Sequence, residues 1–192
     1  GENAITFLAK KIIDEKLVDG ELLDYFSWIV KSLHEKHYGE GLEINFKDLD
    51  SGKLIITPTG ISKVSGGMKL ELAIRYPVSF KEEQITQGIK KHLPRNSQIK
   101  IIRSIPSVMH DKNSKYIKIL SEVYEDITGL DGTPVTTTGA TYARVMPNII
   151  AFGPSFPGQK GIAHKENEWM DDKDLMLSIK IYMQALERLS SE

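Results

Sequence analysis

An α+β architecture is expected for these 192 residues on three observations. Two helix-period stretches open the chain. Short β-type runs, broken by Asp, Ser and Gly, follow from residue 42 to 75, a helix and a further strand reach residue 105, and past Pro106 helical patterns alternate with brief apolar runs. The change of texture sets a boundary near Pro106, with one domain over residues 1–105 and a second over 106–192.

Residues 4–16 carry Ile5, Leu8, Ala9, Ile12 and Ile13 at helical spacing. After the Asp19-Gly20 break, Leu22, Leu23, Phe26, Ile29, Val30 and Leu33 predict a second helix reaching Tyr38, which Gly39 and Gly41 then end. The runs L-E-I-N-F, K-L-I-I-T-P-T and K-L-E-L-A-I-R-Y-P read as strands, separated by D-L-D-S-G-K and S-G-G. In the last, Leu70, Leu72 and Ile74 alternate with Lys69, Glu71, Ala73 and Arg75, so one face is expected in the core and one in water. Ser79, with Glu82 three residues on, predicts a capping box for a helix to Leu93, and Pro94 stops it. Residues 99–105 read as a further strand, giving a β-β-α-β unit of ferredoxin-like type behind the two opening helices. Residues 113–128 form a helical pattern that Gly129 stops. A strand at 134–138, a loop headed by Gly139, a strand at 149–152 and a Gly- and Pro-rich connection lead to a last helix from Asp171. Its expected core stripe is Leu175, Ile179, Tyr182, Leu186 and Leu189.

Composition narrows the function classes. With 25 basic against 26 acidic residues the net charge is -1, so no chain-wide basic field exists to hold nucleic acid. Cysteine is absent, which removes disulfides, thiolate metal ligands and Cys nucleophiles and agrees with a reducing, cytoplasmic setting. No apolar run nears the roughly 18 residues of a membrane span. The chain enters a helical pattern within a few residues of Gly1, and we read it as beginning inside a domain.

Candidate site residues cluster between Thr136 and Trp169, where two expected strands flank a polar loop at the carboxyl end of a sheet. His164 has two readings, an exposed loop imidazole or a metal ligand oriented by a neighbouring carboxylate or amide from Glu166, Asn167 or Glu168. Arg75, held on the polar face of a strand, either forms a surface ion pair or grips a carboxylate bidentately. Arg144 divides in the same way between a ligand contact and a clamp on loop carbonyls. Gly139 serves close ligand approach or is an ordinary turn glycine. In H-E-K-H the histidines His34 and His37 stand three apart, which does not match the helical zinc-peptidase motif. No Ser-His-Asp order, phosphate loop or paired-carboxylate motif appears, so no catalytic residue is assigned.

Taken together, G-A-T-Y-A-R-V-M-P-N, A-F-G and A-H-K-E-N-E-W resemble the C-terminal end of the dinuclear zinc peptidase superfamily that includes aminoacylase and carnosinase, nearest its bacterial β-alanyl and Xaa-His dipeptidase branch. G-E-N-A-I resembles the G-x-N-A that follows a lid histidine in that family, and L-A-I-R-Y-P resembles the lid strand with the substrate-binding arginine. The resemblance implies that residues 1–105 are most of a substrate-clamping lid and that 106–192 are the end of a metal-binding α/β domain. It implies His164 as a ligand of one of two zinc ions and Arg75 as the clamp on the substrate's terminal carboxylate. Gly139, Ala140 and Thr141, joined by Tyr142 and Arg144, would line the substrate pocket.

In such enzymes a metal-bridging water, deprotonated by a glutamate, attacks the scissile carbonyl. The general base, the lid histidine and the other metal ligands are then expected in an N-terminal catalytic portion preceding Gly1, as a partner these residues require. The expected substrate is a dipeptide or N-acyl amino acid. The chain alone is expected to be inactive and to self-associate through apolar surface left uncovered. The alternative from another class is a self-contained α+β module for small-anion binding or dimerisation.

Overall fold

Asn3 starts the first helix: its Oδ1 accepts from the backbone N–H of Ile5 (3.0 Å) and Thr6 (3.3 Å), while its Nδ2 donates to the carbonyl of Pro58 (2.9 Å). One side chain thus caps α1 (Ala4–Asp14) and ties it to a distant strand. The computed structural model describes residues 2–137, 139, 141–153, 156–159 and 161–191. They fall into two compact units, Gly1–Ser107 and Val108–Glu192.

In the first unit α1 packs on α2 (Gly20–Leu33) through Ala9, Phe26 and Ile29. The second helix stops at Leu33, short of the expected Tyr38, because His34 turns to extended backbone and Glu35 takes φ 57°. The run L-E-I-N-F is not a strand. Glu40–Leu42 forms a 3-10 turn and Glu43 sits at φ 55°, which breaks any ladder while still sending Leu42 and Ile44 fully inward. A short antiparallel pair, β1 (Lys47–Asp48) and β2 (Gly52–Lys53), leads into the long hairpin of β3 (Ile55–Val64) and β4 (Gly67–Arg75). Its register runs from Ile55 opposite Arg75 to Val64 opposite Gly67, with one irregularity between Pro58 and Gly60, where proline has no N–H to offer the ladder.

The alternation read for β4 holds: Leu70, Leu72 and Ile74 pack on a core of Leu33, Leu42, Ile44, Leu54, Ile56, Ile85 and Ile89. Ile85 and Ile89 come from α3 (Glu82–His92). Gly88 allows the close approach on that helix, since a Cβ there would fall 2.2 Å from Cγ2 of Ile44. Ser79 does not cap α3. Lys81 takes the N-cap position, its N–H donates to Oε1 of Gln84 (2.9 Å), and Ser79 bonds to Asp48 instead. Residues 99–105 form no strand, and Ile102 is 75% exposed. A strand needs an edge to pair with, and among the described residues the sheets are both two-stranded hairpins. The fourth element of the expected β-β-α-β unit is therefore irregular chain, not a strand.

In the second unit α4 (Lys115–Thr128) ends at Gly129 with φ 68°, and α5 (Asp172–Ser190) is capped by Asp171, whose side chain accepts from the N–H of Lys173. They pack around Val123, Phe156, Ile181 and Ala185. Residues 149–152 and the described part of 134–138 are not strands. Phe152 instead packs edge-on against Tyr182, at 5.9 Å between ring centroids, and its carbonyl accepts from the Tyr182 hydroxyl. The stripe expected to face the core of this unit is largely outward. Leu175, Ile179 and Tyr182 are exposed and Leu186 is 69% exposed, while Ser178, Ile181 and Ala185 make the buried side. Apolar residues thus occupy both faces of α5. Among the described residues no helix is long and apolar enough to cross a membrane.

Candidate functional site

Arg75 is the last residue of β4, on the face opposite Leu72 and Ile74. Its side chain is exposed, and among the described residues no hydrogen bond or ion pair engages the guanidinium. The surface ion pair read as one alternative is therefore not formed with any described residue. The backbone around it is anchored on both sides. Tyr76 packs against the core and Pro77 is fully buried.

Beyond Pro77 the chain is tied to the β1–β2 turn. Asp48 Oδ1 accepts from the N–H (2.6 Å) and hydroxyl (2.8 Å) of Ser51, and Oδ2 accepts from the N–H (3.2 Å) and hydroxyl (2.9 Å) of Ser79. Ser51 Oγ accepts in turn from the N–H of Val78 at 2.9 Å. Phe80 stacks on Phe46 with centroids 4.4 Å apart and planes 13° from parallel. Sequence reading passed over Asp48 and Ser51 as a separator between strands. The signal available was D-x-x-S, the pattern of a carboxylate that caps its own turn.

Burial alone would raise the Asp48 carboxyl, but the bonds from Ser51 and then Ser79 outweigh it and hold it down at about 2, from an ordinary 3.8. Because the folded value lies below the unfolded one, the stabilisation is fully present above about pH 4 and fades as pH falls through 3.8 toward 2. Partial exposure screens the group, so we expect about 1 kcal/mol. Chemical denaturation at pH 5 and pH 2.5 checks this: the stability gap between wild type and Asp48→Asn should shrink by roughly two-thirds of that amount at the lower pH, and a constant gap counts against it.

In the second unit the expected pocket loop is a 3-10 turn, Tyr142–Arg144, capped by Thr141, whose hydroxyl oxygen accepts from the N–H of Ala143. Ala143 is buried, Tyr142 is 83% exposed and Arg144 is half-buried. Gly139 donates its N–H to Thr137 Oγ1 (3.0 Å) and lies outside the left-handed region, so no backbone requirement for glycine shows there. Ala140 lies outside the described residues.

His164 sits on the connection before α5. That connection is pinned by Phe156 in the core and by Gln159 Nε2 donating to Asp174 Oδ2. His164 holds φ 60°, and its backbone N–H donates to Glu168 Oε2 at 3.1 Å. Its ring is exposed and makes no hydrogen bond or ion pair among the described residues.

The other histidines differ in what surrounds them, and His92 Nε2 is buried without a hydrogen-bond partner among the described residues. His34 Nδ1 lies 3.4 Å from Thr6 Oγ1, the His37 carbonyl accepts from Ile56 N–H, His92 Nε2 lies 3.5 Å from Glu43 Oε2, and His110 Nε2 donates to the Ile149 carbonyl at 2.8 Å. A hollow of about 330 Å³ lies beside the start of α1, lined by Glu2, Asn3, Thr6, His34, Glu35 and His37. Neither there nor elsewhere among the described residues do three or more His, Asp or Glu side chains gather closely enough to hold a metal ion. The residues present thus do not by themselves fit a zinc site, since a tetrahedral site takes at least three protein ligands.

Comparison with known proteins bears on what this surface belongs to. Over 155 residues, 79% of this chain and 33% of the relative, it is 30% identical to a provisionally named dipeptidase of Bacillus subtilis. It is 29% identical over 83% of its length to a provisionally named dipeptidase of Staphylococcus haemolyticus, covering 34% of that protein. Across its whole length it is 28% identical to a Beta-Ala-Xaa dipeptidase of Lactobacillus delbrueckii subsp. lactis, covering 41% of it. The chain therefore spans between a third and two-fifths of the length of these relatives. The model of peptidase family M20/M25/M40 matches residues 9–188, nearly the whole chain. These 192 residues belong to that peptidase family.

Proposed function

We propose that the whole protein is a zinc-dependent dipeptidase that cleaves a dipeptide or related N-acyl amino acid. In this reading residues 1–105 clamp the substrate, Arg75 holds its terminal carboxylate, and the loop of Gly139, Ala140, Thr141, Tyr142 and Arg144 lines the pocket. His164 supplies one of several metal ligands, the rest coming from chain that these residues do not include. The observation that carries the reading is Arg75 itself: an exposed guanidinium at the end of an anchored strand, without a described partner, in a chain of a peptidase family. A planar fork of donors on a rigid element suits a planar carboxylate.

The test pairs two proteins. Full-length protein loaded with zinc should hydrolyse members of a dipeptide panel, and absence of turnover on every member would overturn the proposal. The 192-residue chain alone should show no turnover and should hold zinc weakly, because a single imidazole cannot enclose the ion. Stoichiometric tight zinc binding by the isolated chain would contradict the role given to His164.

A further inference from the structure

We propose that Asp48 is the positioning residue of the Arg75 clamp, an inference that rests on the reading of Arg75 as a carboxylate-binding group. Asp48 and Arg75 lie on one closed ring of chain. From Asp48 the backbone turns at Ser51, passes through β2 and reaches Ile55, which lies opposite Arg75 in the hairpin register. From Arg75 it continues through Tyr76, Pro77 and Val78 to Ser79, whose N–H and hydroxyl return to Asp48. The ring is locked at one end by the β3–β4 ladder and at the other by one carboxylate that accepts all four of its hydrogen bonds from Ser51 and Ser79.

Ser51 adds a crosslink inside the ring by accepting from Val78 N–H, and the stacked pair of Phe46 and Phe80 closes it from outside. Arg75 stands at the far corner with its own head group unengaged among the described residues. Removing Asp48 takes away both bonds that hold Ser79 and both that hold the Ser51 turn, leaving the Ser51–Val78 bond and the packing of Tyr76 and Pro77 among the contacts that still hold this segment. The Arg75 backbone then gains freedom in the segment that sets the direction of its side chain. A carboxylate clamp depends on that direction, because two parallel N–H···O bonds require the fork to be aimed before the ligand arrives.

The experiment uses the full-length protein and two substrates, a dipeptide and the same dipeptide with its C-terminus amidated. Asp48→Ala should raise KM for the free dipeptide about 10-fold, change kcat less than about twofold, and leave KM for the amide unaltered. In an Arg75→Ala background the same change should add less than about twofold, since both substitutions remove one interaction. Equal loss on both substrates, or an effect that adds in full to that of Arg75→Ala, would mean a purely structural Asp48 and would overturn the proposal.

If Asp48→Ala does not yield folded protein, Ser79→Ala decides. It keeps the carboxylate, removes one donor, and should raise KM for the free dipeptide alone by about two- to threefold; no rise overturns the proposal. The two readings fail separately. Should Arg75→Ala leave KM unchanged, the clamp itself is wrong and the proposal falls with it; should Arg75→Ala raise KM while Asp48→Ala does not, only the positioning role falls.

Discussion

Arg75→Ala in the full-length protein is expected to raise KM for a dipeptide about 100-fold while kcat moves by no more than a few-fold. The magnitude follows from what is removed. A bidentate, charge-assisted pair contributes about 1.5–3 kcal/mol, and every 1.4 kcal/mol is a factor of about ten in binding. The effect falls on KM because the terminal carboxylate is the same group in ground state and transition state, so its interaction is uniform and does not change the barrier. Arg75→Lys should recover only part of the loss, since an ammonium supplies charge but not the planar fork.

Stability should hardly respond to Arg75→Ala. The guanidinium has no described partner, and surface substitutions of that kind stay within about 0.5 kcal/mol. Steady-state kinetics on free and amidated dipeptides checks all of this together. An Arg75→Ala enzyme that loses turnover equally on both substrates has lost something other than a carboxylate contact, and the assignment would fail.

The parts of this fold that were legible before the structure are those whose pattern is self-sufficient. A helix satisfies its own backbone, so the apolar spacing of α1, α2, α4 and α5 was enough to locate them, with errors only at ends such as the Leu33 stop. The β3–β4 hairpin was legible because its two strands are neighbours in sequence and β4 alternates cleanly. Residues 99–105, 134–138 and 149–152 carry equally β-like composition, yet a strand exists only where an edge receives it.

Apolarity likewise marks what can be buried, not what buries it. On α5 the regular stripe of Leu175, Ile179, Tyr182 and Leu186 is exposed, and the packed side is made by the smaller Ser178 and Ala185 with Ile181, which let α4 and Phe156 come close. Of the candidate site, Arg75 and His164 could be named from residue type and neighbours. The Asp48–Ser51–Ser79 knot could not, because its carboxylate and Ser79 are 31 positions apart and meet only once the hairpin has formed.

His164→Asn in the full-length protein should lower kcat/KM by about 10³-fold and reduce bound zinc, while the stability of the fold stays unchanged or rises by up to about 0.5 kcal/mol. The two halves of this expectation come from different atoms of one residue. The ring is in solvent with no described partner, so its removal leaves no cavity and no orphaned polar group. The backbone sits at φ 60°, a left-handed conformation that asparagine adopts at least as readily as histidine, and its N–H keeps the bond to Glu168 whatever the side chain.

A position that asparagine would fill at least as well, and that nevertheless carries an imidazole, is one where local stability does not dictate the residue. Metal analysis and denaturation of the same two preparations check both halves. Loss of stability with retained zinc and retained activity would reverse the assignment, making His164 a turn residue and moving the metal chemistry wholly to other side chains. Loss of zinc and turnover at undiminished stability is what a ligand imidazole on a strained loop requires.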